Sequence, residues 1–216
     1  MSKRKEPPPE TSTEKESDKM IIEKKERKPW LILSFDIEAD GPAPGLHSMI
    51  SLGVAGITLE GKIVFKWEKN LKPLEGATQD ENTMKWWAKE ENREAWEYCN
   101  KNQEDPATAM KDLNEKILEL MQKWDLITCA APAGYDYQFP NWYFVKFVGE
   151  NPLGHKAHCM NSYLWAMKGE IHPSIYDFRK QFLHPDFPHT HKALDDALEQ
   201  GMMFLNALLK NTSKNK

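Results

Sequence analysis

The sequence predicts an α/β protein: a mixed β-sheet, an antiparallel meander joined by parallel pairing, with α-helices on its faces. Three observations predict it. Three strand-like runs follow one another between residues 31 and 68. Helical patterns with acidic caps and an apolar stripe follow from residue 80 onward. A short apolar run, Leu126 to Ala131, then interrupts the helices as a strand buried on both faces would. Strands followed by helices around one buried strand give a sheet with helices packed against it.

The elements justify themselves in order. Residues 1–28 are rich in Lys, Glu, Ser and Pro and poor in large apolar groups, so they cannot offset their ordering entropy and are expected to be disordered. A short turn near Met20-Ile21-Ile22 is the one exception, and Ser2-Lys3-Arg4-Lys5 reads as a solvated basic stretch. Leu31–Phe35 reads as a central strand and Met49–Leu59 as a second. Glu60-Gly61 makes a turn, and Lys62–Glu68 alternates as a third, more exposed strand. Asp80 to Thr83 offers helix caps before Met84-Lys85-Trp86-Trp87. Asp105-Pro106 is a cap followed by proline in the first turn, and Leu113, Ile117, Leu120, Met121 and Trp124 line one face of the helix after it. Pro132-Ala133-Gly134 ends the buried run, and a helix starts near Tyr137 with Pro140 in its first turn. The last helix runs from near Ala193 to about Lys210. The expected organisation is a charged tail (1–28), one domain (29–210) and a short disordered C-terminal tail (211–216).

Composition narrows the function. A net charge of -4 argues against a passive nucleic-acid coat, which needs a basic surface. It leaves room for an enzyme that reaches phosphates through bound cations. Cys99, Cys129 and Cys159 lack metal-type spacing and suggest free thiols in a reducing compartment. With no apolar signal core and no membrane-length apolar run, an intracellular, cytoplasmic location away from membranes is expected.

Asp36 and Glu38 end the first strand one residue apart, so they share a face. Two carboxylates on one buried face repel each other unless a cation lies between them, and hard divalent ions take oxygen ligands of this kind. A polar strand end would look the same in isolation. Asp136 follows the buried run, where ligands gather in open α/β sheets, although a helix cap would also account for it. His191 and Asp196 lie five apart across a helix start, which lets a loop imidazole and a helix carboxylate flank one centre. His189 and Asp195 are their nearest competitors, and Lys192 beside them could meet a phosphate.

Together, Phe35-Asp36-Ile37-Glu38, Asp136 after a strand, and His191 with Asp196 resemble the three motifs of the DEDDh family of 3′-to-5′ exonucleases. The resemblance covers about Trp30 to Lys210. It implies a ribonuclease H-like fold, two divalent ions (Mg2+ or Mn2+) and single-stranded RNA or DNA 3′ ends as substrate. Residue by residue, Asp36, Glu38, Asp136 and Asp196 match the metal-binding acids, and His191 matches the general base. Trp86, Trp87, Tyr135 and Tyr137 are the candidate platforms for stacked bases. Dimers occur in the family, so a homodimer is an expected option. The residues also admit a phosphodiesterase acting on short oligonucleotides, or a catalytically silent binding module of the same fold. The intact set of five motif residues argues against silence.

Overall fold

A computed structural model describes residues 27–169 and 175–214. The expected disorder of residues 1–28, with the turn near Met20 and the basic stretch Ser2–Lys5, lies outside the described residues except at Arg27 and Lys28. In chain order the elements are β1 (Trp30–Ala39), β2 (Met49–Thr58), β3 (Ile63–Asn70), α1 (Glu81–Trp87), a 3₁₀ turn (Glu90–Asn92), α2 (Arg93–Cys99) and α3 (Pro106–Lys123). They continue with β4 (Asp125–Ala130), α4 (Ala133–Asp136), α5 (Gln138–Phe147), β5 (His158–Cys159), α6 (Met160–Lys168), α7 (Tyr176–Lys180) and α8 (Ala193–Lys214).

The sheet order is β3-β2-β1-β4-β5. The first three strands form the antiparallel meander, and β4 and β5 pair in parallel. The predicted mixed sheet is therefore present, with Asp36 and the end of β4 on neighbouring strands. Asp80 caps α1 by accepting from Thr83 N, and Asp105 caps α3 by accepting from Thr108 N, with Pro106 behind it.

The helix expected near Tyr137 is α5, with Tyr137 at its N-cap and the short α4 ahead of it. Three other expectations need correction. In the run Leu126–Ala131 only Thr128, Cys129 and Ala130 are buried, and the two-residue β5 covers just Cys129 and Ala130. α8 runs on to Lys214, so Asn211 to Lys214 are helical rather than a tail. Helices α2, α6 and α7 and strand β5 were not expected; each is shorter than the window in which periodicity can be read.

Side-chain alternation along β1 divides the molecule. Leu33, Phe35, Ile37 and Ala39 point to one face and join a core with Leu113 and Ile117 of α3 and Phe139, Tyr143 and Phe144 of α5. Ile32, Ser34, Asp36 and Glu38 point to the other. Their partners on β2 are Ile57, Ala55, Gly53 and Ser51, and residues paired directly across strands share a face. This second face is thus a groove of small residues. α8 lies in it with a matching stripe, Ala193, Ala197 and Gly201, at four-residue spacing. A Cβ on Gly53 would stand 2.2 Å from the Ala193 carbonyl carbon, and one on Gly201 would stand 2.6 Å from Ile57 Cδ1.

No helix among the described residues is long and apolar enough to cross a membrane. Because backbone atoms meet at Gly53, Gly53→Ala is expected to cost at least about 1–3 kcal/mol. Gly201→Val should cost a similar amount. Urea unfolding of both variants checks this, and a wild-type midpoint for Gly53→Ala would contradict the close seating of α8.

Candidate active site

Three elements deliver four carboxylates to one cleft. Asp36 and Glu38 come from the carboxyl end of β1, where the pairing register shifts between Glu38 and Ala39. Asp136 closes α4, and its Oδ2 accepts from Ala131 N, 3.2 Å away at the end of β4. Asp196 comes from the first turn of α8. Carboxylate oxygens of Asp36, Glu38 and Asp196 all lie within 4.8 Å of one another. Asp136 is not in that group but acts on it electrostatically.

The four residues are only 6%, 9%, 4% and 1% exposed for Asp36, Glu38, Asp136 and Asp196. Burial pushes the Asp36 carboxyl well above its ordinary range, and the charges of Asp136, Glu38 and Asp196 push it further. Glu38 rises for the same reasons, burial first, then Asp196 and Asp136. Asp136 rises from its ordinary 3.8 to about 7, mainly through burial, despite the Ala131 amide and the Arg179 charge. An all-oxygen donor set that repels itself in this way fits a hard divalent cation.

The backbone before α8 is organised around Asp196. Its Oδ1 accepts from Thr190 N at 2.7 Å and its Oδ2 from His191 N at 3.0 Å. Two successive amides can aim at one carboxylate because His191 has a φ of 56°, a left-handed conformation uncommon for a non-glycine residue. Asp195, one residue away, instead accepts from the Thr190 hydroxyl at 3.1 Å. From β3, Glu68 accepts from Leu194 N at 3.1 Å and caps α8.

The two histidines are in different environments. His191 is half-buried, its ring 5.0 Å from that of Trp86 in an edge-to-face contact. Burial lowers its pKa, and the neighbouring His189 lowers it further. His189 contacts Asp196 Oδ2 at 3.0 Å and Glu199 Oε2 at 3.2 Å. Those two bonds, Asp196 first, raise it from 6.5 to about 10, so it is an imidazolium at neutral pH.

Of the four aromatic candidates, Trp86 and Tyr135 are partly exposed at the cleft. Trp87 and Tyr137 are core, and this corrects their reading as stacking platforms. The Trp87 indole donates to Ala39 O at 3.0 Å, and the Tyr137 hydroxyl donates to Gly154 O at 3.0 Å. Lys192 pairs with Glu94 at 2.8 Å instead of standing free for a phosphate. Two site residues escaped the sequence reading, Glu199 and Gln200. Gln200 Nε2 donates to Asp36 Oδ1. Both lie three and four residues after Asp196, the spacing that puts helical neighbours on one side, and that spacing was the available signal.

A carboxyl raised in the folded state stabilises that state below its unfolded pKa, and the stability is lost as pH rises through the folded value. For Asp136 this window runs from about 4 to about 7. In chelator, the melting temperature is therefore expected to fall between pH 5 and pH 8. Mn2+ added at pH 8 should raise it again, because the ion binds the folded state. A metal-free melting temperature that rises with pH would contradict this electrostatic picture.

Comparisons with known proteins agree with the geometry. No family model matches the chain. The chain is 28% identical over 179 residues to the 3′-5′ DNA exonuclease Cap18 of Escherichia coli, covering 81% of this chain and 89% of that one. Among solved structures, it superposes on the nuclease domain of 3′hExo, a DEDDh family member bound to rAMP, with a TM-score of 0.59 at 10% identity. That match covers 86% of this chain and 94% of the other. It superposes on cell-death related nuclease 4 with a TM-score of 0.58 at 13% identity, covering 85% of this chain and 64% of the other, so it spans under two thirds of that protein. In fold, this chain is thus similar to the nuclease domain of a DEDDh family member, and in sequence it is similar to a 3′-5′ DNA exonuclease.

Proposed function

We propose that the protein is a metal-dependent 3′-to-5′ exonuclease that hydrolyses the terminal phosphodiester bond of a single-stranded nucleic acid. The observation that carries this reading is the convergence of the Asp36, Glu38 and Asp196 carboxylates within 4.8 Å, with Asp136 and His191 beside them. Asp36, Glu38, Asp136 and Asp196 would hold divalent cations, and their all-oxygen donor set suits Mg2+ or Mn2+. Two such ions, held there, would supply Lewis-acid stabilisation to the attacking and leaving oxygens.

The chain's own groups do the rest. His191 is neutral at physiological pH because its pKa is lowered, so a ring nitrogen is free to accept the proton of the attacking water. The edge of Trp86 steadies that ring. Gln200 holds Asp36 by one oxygen, which leaves the other for a cation. Trp86 and Tyr135 present aromatic surface to unpaired bases. The likeness to the Cap18 DNA exonuclease favours a DNA 3′ end.

End-labelled DNA and RNA of equal sequence, incubated with Mn2+ and with chelator, test this reading. Shortening from the 3′ end, with DNA the faster substrate, is expected only with metal. Asp36→Ala should fall to background, and His191→Asn should lose about 10²–10⁴-fold in rate. Full activity in either variant would overturn the assignment, and faster cleavage of RNA would reverse the substrate preference.

A further inference from the structure

We propose that His189, His191 and Asp196, with Glu199 closing the fourth side, form a site for zinc-class transition metals, and that zinc bound there switches the nuclease off. The ligand atoms of His189, His191 and Asp196 all lie within 4.8 Å of one another. His189 Nδ1 is 3.0 Å from Asp196 Oδ2 and 3.2 Å from Glu199 Oε2. Tetrahedral zinc with bonds near 2.0–2.2 Å sets neighbouring ligand atoms roughly 3.3–3.6 Å apart. Closing the set brings ligand atoms that now lie up to 4.8 Å apart to that spacing.

His189 stands between two buried carboxylates, Asp196 and Glu199. A dication bound there by neutral imidazoles would sit against both of them. His189 is half-exposed, and it lines a solvent-open cavity together with Arg179 and Glu199, which gives an ion a way in.

Donor chemistry separates this group from Asp36, Glu38 and Asp196. The latter offers only oxygen and suits Mg2+ or Mn2+; two imidazoles favour zinc. Asp196 belongs to both groups, so the two occupancies compete for it. Zinc in the mixed site would also take the lone pair of His191. That inhibition rests on the exonuclease reading; the binding does not.

Titration of metal-stripped protein with Zn2+ by calorimetry, and with Co2+ as a coloured stand-in, tests the site. Wild type and Asp36→Ala should each bind one zinc and give the intense visible bands of four-coordinate cobalt. His189→Asn and His191→Asn should bind more weakly than wild type by more than the roughly 10–100-fold that outer-shell changes cost. In the nuclease assay with Mn2+, zinc at its measured affinity should inhibit wild type. Zinc binding in His189→Asn equal to wild type, or six-coordinate cobalt spectra in wild type, would overturn the site, whatever the outcome with Mn2+. If zinc binds but no nuclease activity exists, the exonuclease reading fails and the site stands.

Discussion

The repulsion among four carboxylates held out of water is the constraint to which the surrounding structure answers. Desolvation alone disfavours each charge, and Asp36 also feels Asp136, Glu38 and Asp196. Nothing local to β1 would place acids there for stability. The groups that oppose the repulsion are few: the Ala131, Thr190 and His191 amides, the Gln200 side chain and the His189 imidazolium. Each is a partial answer, and all but the Ala131 amide come from α8 or the loop before it, which reach the site only because α8 lies close to β1 and β2.

That closeness follows from small residues on both sides of the contact. Ser34, Ala55 and Gly53 form the floor, and Ala193, Ala197 and Gly201 form the stripe that meets it. A helix seated one side chain farther out would carry Asp196 and Gln200 away from Asp36. The opposite face of β1 shows the contrast. Leu33, Phe35 and Ile37 pack there against α3 and α5 at ordinary core volume. One strand therefore serves two purposes by alternation: a rigid apolar anchor on one face and a narrow polar groove on the other.

This arrangement explains what was legible in the sequence. β1, β2, β3, α3 and α8 carry long, periodic patterns and could be read. Four of the five motif residues could be read because their spacing is local: two acids at i and i+2, and a histidine five residues before an acid. Asp136 could be read from its place after a buried strand. Gln200 was harder to read: its spacing from Asp196 puts it on the site's side of the helix, but its partner Asp36 is 164 residues away. The use of Gly53 and Gly201 appears only when the strand and the helix are brought together. The aromatic candidates divide for a related reason. Trp86 and Trp87 are sequence neighbours, and adjacent helical residues point in different directions. One meets His191 and the other enters the core, where its indole reaches the Ala39 carbonyl.

The same logic of environment separates the two histidines. Both flank Asp196, two residues apart, and both are imidazoles with the same intrinsic basicity. His189 faces two carboxylates and holds its proton far above neutrality, so it cannot accept another. His191 faces Trp86 and the charged His189, and is driven neutral. In the proposed reaction the charge on His189 would thus also keep its neighbour available as a base. A sequence reading that ranks the two by their distance from Asp196 selects His191, and the opposite directions in which the two imidazoles are shifted support that proposal.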